Sequence, residues 1–287
     1  MKIKFENVCY HYNAKLPEQN LVLKDINLEI SEGEFVGIIG QSGSGKTTLL
    51  QHFTGLLRPA SGNVFVDDQN IWEKNYPLSE LRKRIGLVFQ FPESQLFEET
   101  VYSDVAFGPS MLKLPEDEID LRVIEALKLV GMKTEDIKDR SPHHLSEGEK
   151  RRVAIAGVLA MAPEVLVLDE PTACLDPAGV KLIIQILKKL HENGTTIIMI
   201  THNLDVIVQL APRIVVLNHG KIYFDGNRET VFSDNKLLES VDLEPPRIVR
   251  LCQYLKKLNI ISEANLYSID EVKKLFDKKD FEQKSSE

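Results

Sequence analysis

Apolar and polar positions in this chain follow two different periods. Residues 2–12, KIKFENVCYHY, and 21–30, LVLKDINLEI, alternate at every second position, which predicts two strands with one buried face each. A SEGE turn at 31–34 leads into FVGIIG at 35–40, an apolar run without a polar face, as in a strand covered on both sides. A helix is predicted over KTTLLQHFTGLL (46–57), and short strands over GNVFVDD (62–68) and RIGLVFQ (84–90). From about Val101 to Met161 the patterns are mainly helical. EVLVLDE (164–170), the amphipathic AGVKLIIQILKKLHENG (178–194) and TTIIMITH (195–202) then restore a strand–helix–strand order, and RIVVLNHG (213–220) and KIYFDG (221–226) add two strands. Beyond Ser233 the chain reads as short helical segments broken by EPP at 244–246, and FDKKDFEQKSSE (276–287) reads as a frayed tail.

These elements predict an α/β protein: a mostly parallel sheet, an N-terminal antiparallel β part, a helical insertion at about 91–161 within a main unit of residues 1–232, and a helical extension over 233–287. At 287 residues, 43% hydrophobic and 27% charged, the chain can bury a substantial core and has the composition of an ordinary globular protein. The net charge of −8 supplies no field for nucleic acid or an anionic membrane, so an anionic ligand must be held by local donors. Cys9, Cys174 and Cys252 form no C-x-x-C pair and no disulfide framework, which fits a reducing cytosol. The N-terminus lacks the apolar core of a signal peptide, and no apolar run approaches a membrane span. A role at a membrane would therefore pass through a partner.

The candidate chemistry begins at GQSGSGKT, Gly40 to Thr47, between a buried strand and a helix. Gly40, Gly43 and Gly45 let the backbone N–H groups of this loop, with Gln41, Ser42, Ser44 and the following Thr48, converge on phosphate oxygens at a helix N-terminus. Lys46 would reach the β- and γ-phosphates, and Thr47 would offer its hydroxyl to Mg²⁺. The VLVLDE strand ends in Asp169, placed to hold Mg²⁺, and Glu170, placed to polarise an attacking water. His202 and Gln90 end two other strands at the edge where parallel sheets bind ligands, and would converge on a γ-phosphate and its water.

In this order, the phosphate loop, Gln90, LSEGE at 145–149, VLVLDEP, ACLD at 173–176 and His202 resemble an ATP-binding cassette ATPase. That family has a P-loop NTPase fold with a RecA-like sheet. The resemblance implies ATP and Mg²⁺ as ligands, with Lys46, Glu170 and His202 as catalytic residues and Thr47, Gln90 and Asp169 around the metal. It also implies an aromatic on the adenine, for which Tyr12 matches, with Tyr10 as the other candidate. Two cassettes would meet head to tail, with Ser146 and Gly148 reaching the partner's ATP and Asp176 at the seam.

The stretch FQFPESQLFEETVYSDVAFGP is similar to the cassettes of energy-coupling factor transporters, importers of vitamins and transition metals. This implies a second ATPase subunit, in a heterodimer or a homodimer, a transmembrane coupling subunit contacted through Phe91, Leu96 and Phe97, and a substrate-binding membrane subunit. It also implies a peripheral location on the cytoplasmic face of the cell membrane and a pairing role for the C-terminal extension. No nucleic acid is expected. A soluble cassette ATPase of translation or DNA repair is disfavoured, because the chain has neither two cassettes nor a long coiled coil between Lys46 and Ser146. The ATPase of another cassette importer remains an alternative. A small-molecule kinase would leave LSEGE and Asp176 unexplained.

Two features depart from the family pattern. Cys174 stands where glycine or another small residue is usual. In LSEGE, Glu147 and Glu149 replace glycine and glutamine. Either both glutamates face solvent and bond the helix N-terminal N–H groups or Lys150 or Arg151, or they slow hydrolysis at the partner's site.

Overall fold

The structure is a computed structural model that describes residues 1–12, 21–262 and 265–284. In chain order its elements are β1 (Ile3–Tyr10), β2 (Leu23–Ile30), β3 (Phe35–Ile39), α1 (Lys46–Phe53), β4 (Ser61–Val66), β5 (Gln69–Asn70), α2 (Leu78–Arg84) and β6 (Ile85–Val88). Then come α3 (Val101–Met111), α4 (Glu116–Leu129), α5 (Thr134–Ile137), α6 (Glu147–Ala160), β7 (Val165–Asp169), α7 (Pro177–Glu192) and β8 (Thr196–Ile200). The chain continues through α8 (Leu204–Leu210), β9 (Arg213–Asn218), β10 (Lys221–Asn227), α9 (Arg228–Ser233), α10 (Asn235–Ser240), α11 (Arg247–Lys257) and α12 (Ile269–Lys284).

Two sheets result. The antiparallel one has the order β2-β1-β4-β5, and the six-stranded one has the order β10-β9-β3-β8-β7-β6, with every pair parallel except β9–β10. Side chains alternate along the parallel strands and so serve two cores. Val36, Ile38, Val165, Val167, Ile198 and Ile200 join Phe5, Leu49 and Phe53 in a core between the two sheets. Phe35, Ile39, Leu166, Leu168, Ile197 and Met199 join the helices on the other face. That second core takes in Leu238, Ile248, Val249 and Cys252, so α10 and α11 of the extension pack into the body of the molecule.

Some elements differ from the sequence pattern. The strand expected over 2–12 ends at Tyr10, and the helix expected over 46–57 ends at Phe53, with Thr54 as its C-cap and Gly55 at φ +61°. The tail expected to fray over 276–287 continues α12 as far as Lys284; its run of Lys, Asp, Glu and Gln without Gly or Pro has ample helix propensity, and 285–287 lie outside the described residues. The three cysteines are free thiols, with Cys174 exposed and Cys252 buried.

Candidate active site

The order β3-β8-β7-β6 sets the carboxyl ends of four parallel strands side by side, the edge where open α/β sheets bind ligands. A cavity of about 620 Å³ lies there, lined by Tyr12, Ser42, Gly43, Gly45, Lys46, Thr47, Thr48, Gln90, Asp169, Glu170 and His202. Residues from distant parts of the sequence thus meet as the motifs implied. Gly40, Gln41 and Ser44 shape the loop beneath this lining.

The phosphate loop depends on glycine at two points. A Cβ on Gly40, at φ +151°, would lie 2.1 Å from the Leu217 carbonyl oxygen of β9, so only glycine fits. Gly45, at φ +104°, is the N-cap of α1 and supplies no capping side chain, which leaves the helix N-terminal N–H groups to the cavity. Lys46 Nζ donates to the carbonyls of Gly40 (2.8 Å) and Gln41 (2.6 Å). Its burial lowers its pKa, and the charges of Glu170 and Asp169 oppose that shift. The Ser44 hydroxyl is buried without a hydrogen-bond partner among the described residues.

At the end of β7, Asp169 Oδ2 accepts the Thr47 hydroxyl at 3.1 Å. Burial raises the Asp169 carboxyl pKa, with the Thr47 bond working against it and Glu170 adding to it. Glu170 sits at φ +50°, a left-handed conformation that non-glycine residues adopt at a cost. Its Oε2 accepts the Thr201 hydroxyl at 2.9 Å, and its Oε1 accepts the His202 backbone N–H at 2.9 Å. His202 Nδ1 also donates to Oε1 at 2.7 Å, since an ionised carboxylate only accepts, which leaves Nε2 as the other ring nitrogen available to a ligand.

The Tyr12 ring is 60% exposed and lines the cavity, while its hydroxyl lies 2.8 Å from Thr48 Oγ1. Tyr10 packs behind it, edge-on to Tyr12 at 5.1 Å and to His52 at 4.9 Å. The geometry therefore gives Tyr12, not Tyr10, the position facing a ligand.

Ser146, Gly148 and Asp176 lie elsewhere and share a second cavity of about 380 Å³ with Glu149 and Arg152. Ser146 is the N-cap of α6 and forms a capping box with Glu149: the Ser146 N–H donates to Glu149 Oε2 at 2.9 Å, and the Glu149 N–H donates to Ser146 Oγ at 3.3 Å. Glu147 bonds Lys150 at 2.8 Å. Arg151 pairs with neither glutamate, contrary to one of the expected arrangements. Position 151 falls on the inward face of α6 with Ile155 and Leu159, and Arg151 is 3% exposed. Its Nη2 donates to the carbonyls of Gln90 (2.5 Å) and Glu170 (3.4 Å), and Nη1 donates to that of Ala173. Cys174, at φ +59°, explains why its position suits glycine.

Of the residues expected at a membrane partner, Phe91 and Phe97 are 51% and 59% exposed, whereas Leu96 packs partly against the core. Phe97 meets Phe107 edge-on at 5.0 Å. Thr201 and the buried role of Arg151 escaped sequence reasoning. Thr201, one residue before His202 at the end of β8, could have been found from its strand-end position; the buried contacts of Arg151 needed the fold.

The site also fits the ligands the motifs imply. The glycine-lined cradle, the partly desolvated Lys46 and the unpaired Ser44 hydroxyl suit a polyphosphate, and the Thr47–Asp169 pair presents hard oxygen donors. Among the described residues no cluster of three or more His, Cys, Asp or Glu could cage a metal alone.

Comparison with known proteins agrees. The ABC transporter family model matches residues 23–173. The energy-coupling factor transporter ATP-binding protein EcfA2 of Clostridium tetani is 47% identical over 96% of both chains, and EcfA2 of Clostridium perfringens is 46% identical over 95% of this chain and 96% of its own. Among solved structures, cbiO1 of Clostridium perfringens, described as part of the ABC transporter complex cbiONQ, aligns with a TM-score of 0.73 and 43% identity over 88% of this chain and 98% of its own. The ATP-binding cassette MJ0796, a dimer bound to ADP and Pi, aligns with a TM-score of 0.71 and 34% identity over 78% of this chain and 98% of its own. The chain belongs to the ATP-binding cassette family of transporter ATPases and, within it, to the ATP-binding proteins of energy-coupling factor transporters. It is an ATPase with the P-loop NTPase fold.

Proposed function

We propose that this chain powers the uptake of a vitamin or a transition-metal ion, paired with a second ATPase subunit and bound to a transmembrane coupling subunit that carries a substrate-binding membrane subunit. The observation that carries the catalytic part is the meeting of Lys46, the Thr47–Asp169 pair, Glu170–His202, Gln90 and Tyr12 around one cavity. The cargo rests on the family resemblance after Gln90. Among the described residues no helix is long and apolar enough to cross a membrane, and peripheral attachment through partners fits that.

Lys46 exchanges its two backbone carbonyl acceptors for phosphate oxygens, and the loop N–H groups surround the same charge. Tyr12 stacks on the base. Thr47, Asp169 and Gln90 would hold Mg²⁺, which would supply positive charge to offset that of the polyphosphate. Glu170 accepts a hydrogen bond from the attacking water, while Thr201 and His202 fix its carboxylate. Water oxygen bonds to the γ-phosphorus, the bond to the β-bridging oxygen breaks with its electron pair leaving on ADP, and the water proton departs towards Glu170 or phosphate. Ser146 and Gly148 complete the partner's site, Asp176 lies at the seam, and the extension over 233–287 takes part in pairing.

In the assembled transporter, Lys46→Ala should weaken nucleotide binding, and Glu170→Gln should retain binding while turnover falls by at least about a hundredfold. Wild-type hydrolysis with Glu170→Gln in every cassette would reject the assignment. Co-purification with membrane partners, followed by weighing of the complex, decides between heterodimer and homodimer by the copy number of this chain.

A further inference from the structure

The C-terminal extension reaches the phosphate loop directly. Asp242 Oδ2 accepts a hydrogen bond from Gln41 Nε2 at 2.7 Å, across 201 positions of sequence. Asp242 follows α10 at φ +51°, and its position is anchored: the Val241 N–H donates to the Leu238 carbonyl at 3.1 Å and the Leu243 N–H to the same carbonyl at 2.9 Å. Leu238 and Val241 are buried in the larger core. Five positions on, Arg247 at the start of α11 binds Asp205 twice, through its backbone N–H at 2.6 Å and its Nε at 3.4 Å. Asp205 lies in the first turn of α8, three residues after His202. One segment of the extension thus contacts both the phosphate loop and the turn of helix that follows His202.

Gln41 is the loop residue best placed to transmit this contact. Its carbonyl accepts Lys46 Nζ at 2.6 Å while its side chain is held by Asp242. When Lys46 turns to a phosphate, the carbonyls of Gly40 and Gln41 lose that donor, and the side-chain bond to Asp242 remains as a tether on the start of the loop.

We propose that Asp242 is a positioning residue for nucleotide binding, which holds the Gln41 end of the phosphate loop from the C-terminal extension and so links the extension's position to occupancy of the site. The proposal rests on the reading of residues 40–47 as the phosphate site. Because linkage is reciprocal, nucleotide must alter the extension to the same degree that the extension alters nucleotide affinity.

The test uses the full-length chain and equilibrium binding of MgATP. Asp242→Ala should weaken binding about three- to tenfold, the range of one hydrogen bond, while Asp242→Asn, which keeps an acceptor oxygen, should stay within about twofold of wild type. Gln41→Ala should weaken binding, and adding Asp242→Ala to it should change little. Hydrogen exchange supplies a readout that a merely structural residue would not move: MgATP should slow exchange over 235–249 in the wild type and not in Gln41→Ala. Thermal melting checks that each variant folds, and the Gln41→Ala exchange experiment still decides the matter if Asp242→Ala does not. Wild-type affinity in Asp242→Ala, independent effects of the two substitutions, or unchanged exchange in the wild type would overturn the proposal. Lys46→Ala separates it from the reading beneath: unimpaired binding in that variant removes the phosphate site itself, whereas lost binding there with normal binding in Asp242→Ala removes only the tether.

Discussion

Thr201 and Asp169 show how single side chains prepare this site. The Thr201 hydroxyl fixes one Glu170 oxygen and His202 fixes the other, so the carboxylate cannot rotate without giving up a bond. Thr201→Val keeps the shape and removes one donor; kcat should fall about tenfold with KM nearly unchanged, in steady-state hydrolysis by the assembled transporter. Asp169 carries the pH dependence. Its folded pKa is raised above the ordinary 3.8, chiefly by burial, so the protonated form favours folding and that contribution is lost as pH rises from 3.8 through the raised value. Lys46 is shifted the other way, below 10.5, so its charged form disfavours folding, a penalty that fades as pH rises from the lowered value to 10.5. The charged forms of both groups therefore count against the stability of the nucleotide-free chain, and a cation with polyphosphate would relieve both. Mg²⁺ binding must also displace any proton on Asp169. The Mg²⁺-dependent rise in melting temperature with ATP should shrink as pH falls from neutral towards 3.8, and titration of Asp169→Asn should lack that component.

At the scale of elements, the signature helix shows what its two unusual glutamates do. Glu149 closes the capping box of α6, and the Ser146 backbone N–H, then its hydroxyl, hold the Glu149 pKa below the ordinary 4.5. That contribution to stability is present above 4.5 and is lost as pH falls through the lowered value. Glu149→Gln keeps an acceptor for the capping box but loses the charge and should cost less than Glu149→Ala, which should cost about 1 kcal/mol in denaturant unfolding. Glu147 is bonded to Lys150. With both carboxylates engaged in their own helix, Glu147→Gly with Glu149→Gln should leave hydrolysis at the partner's phosphate loop unchanged when this chain's own site is silenced by Glu170→Gln. A rise would restore these charges as a brake on the partner. Elements with strong periodicity were legible in the sequence: β3, β7 and β8 are buried at every position and read as apolar runs, and α7 reads as an amphipathic helix. Weakly patterned ones were not. β5 has two residues, and α2 buries only Leu81, so neither offers a period to detect. The site residues within ordered motifs could likewise be read, whereas Arg151 and Asp242 act through contacts that only the folded chain brings together.

Among the exposed apolar side chains of the described residues, two groups lie on different elements, which permits independent tests. Phe91 and Phe97 stand exposed in the segment after Gln90, and Phe107 and Met111 on α3 are 45% and 65% exposed close by in the fold. On α11 and its C-cap, Leu251, Tyr254 and Leu258 are 43%, 60% and 50% exposed at helical spacing, while Ile248, Val249 and Cys252 face the core. Exposed apolar groups gathered in this way mark contact surfaces. The first suits a membrane subunit's helix, because it lies beside the glutamine that lines the nucleotide cavity and can pass on its state. The second, carried by the extension, suits pairing with the other ATPase subunit. Neither Phe97 nor Tyr254 supports the chain's own core, so Phe97→Asp and Tyr254→Glu should leave its melting temperature within a few degrees of wild type, since exposed substitutions change stability by only about 0.5 kcal/mol. Phe97→Asp should lose the membrane subunit in co-purification and retain pairing of the ATPase subunits. Tyr254→Glu should weaken that pairing by roughly 1–2 kcal/mol, about five- to thirtyfold in dissociation constant, measured by sedimentation of the two ATPase subunits without membrane partners. If Tyr254→Glu instead releases the membrane subunit and leaves pairing intact, the extension belongs to the transporter interface, and the assignment of the two surfaces must be exchanged.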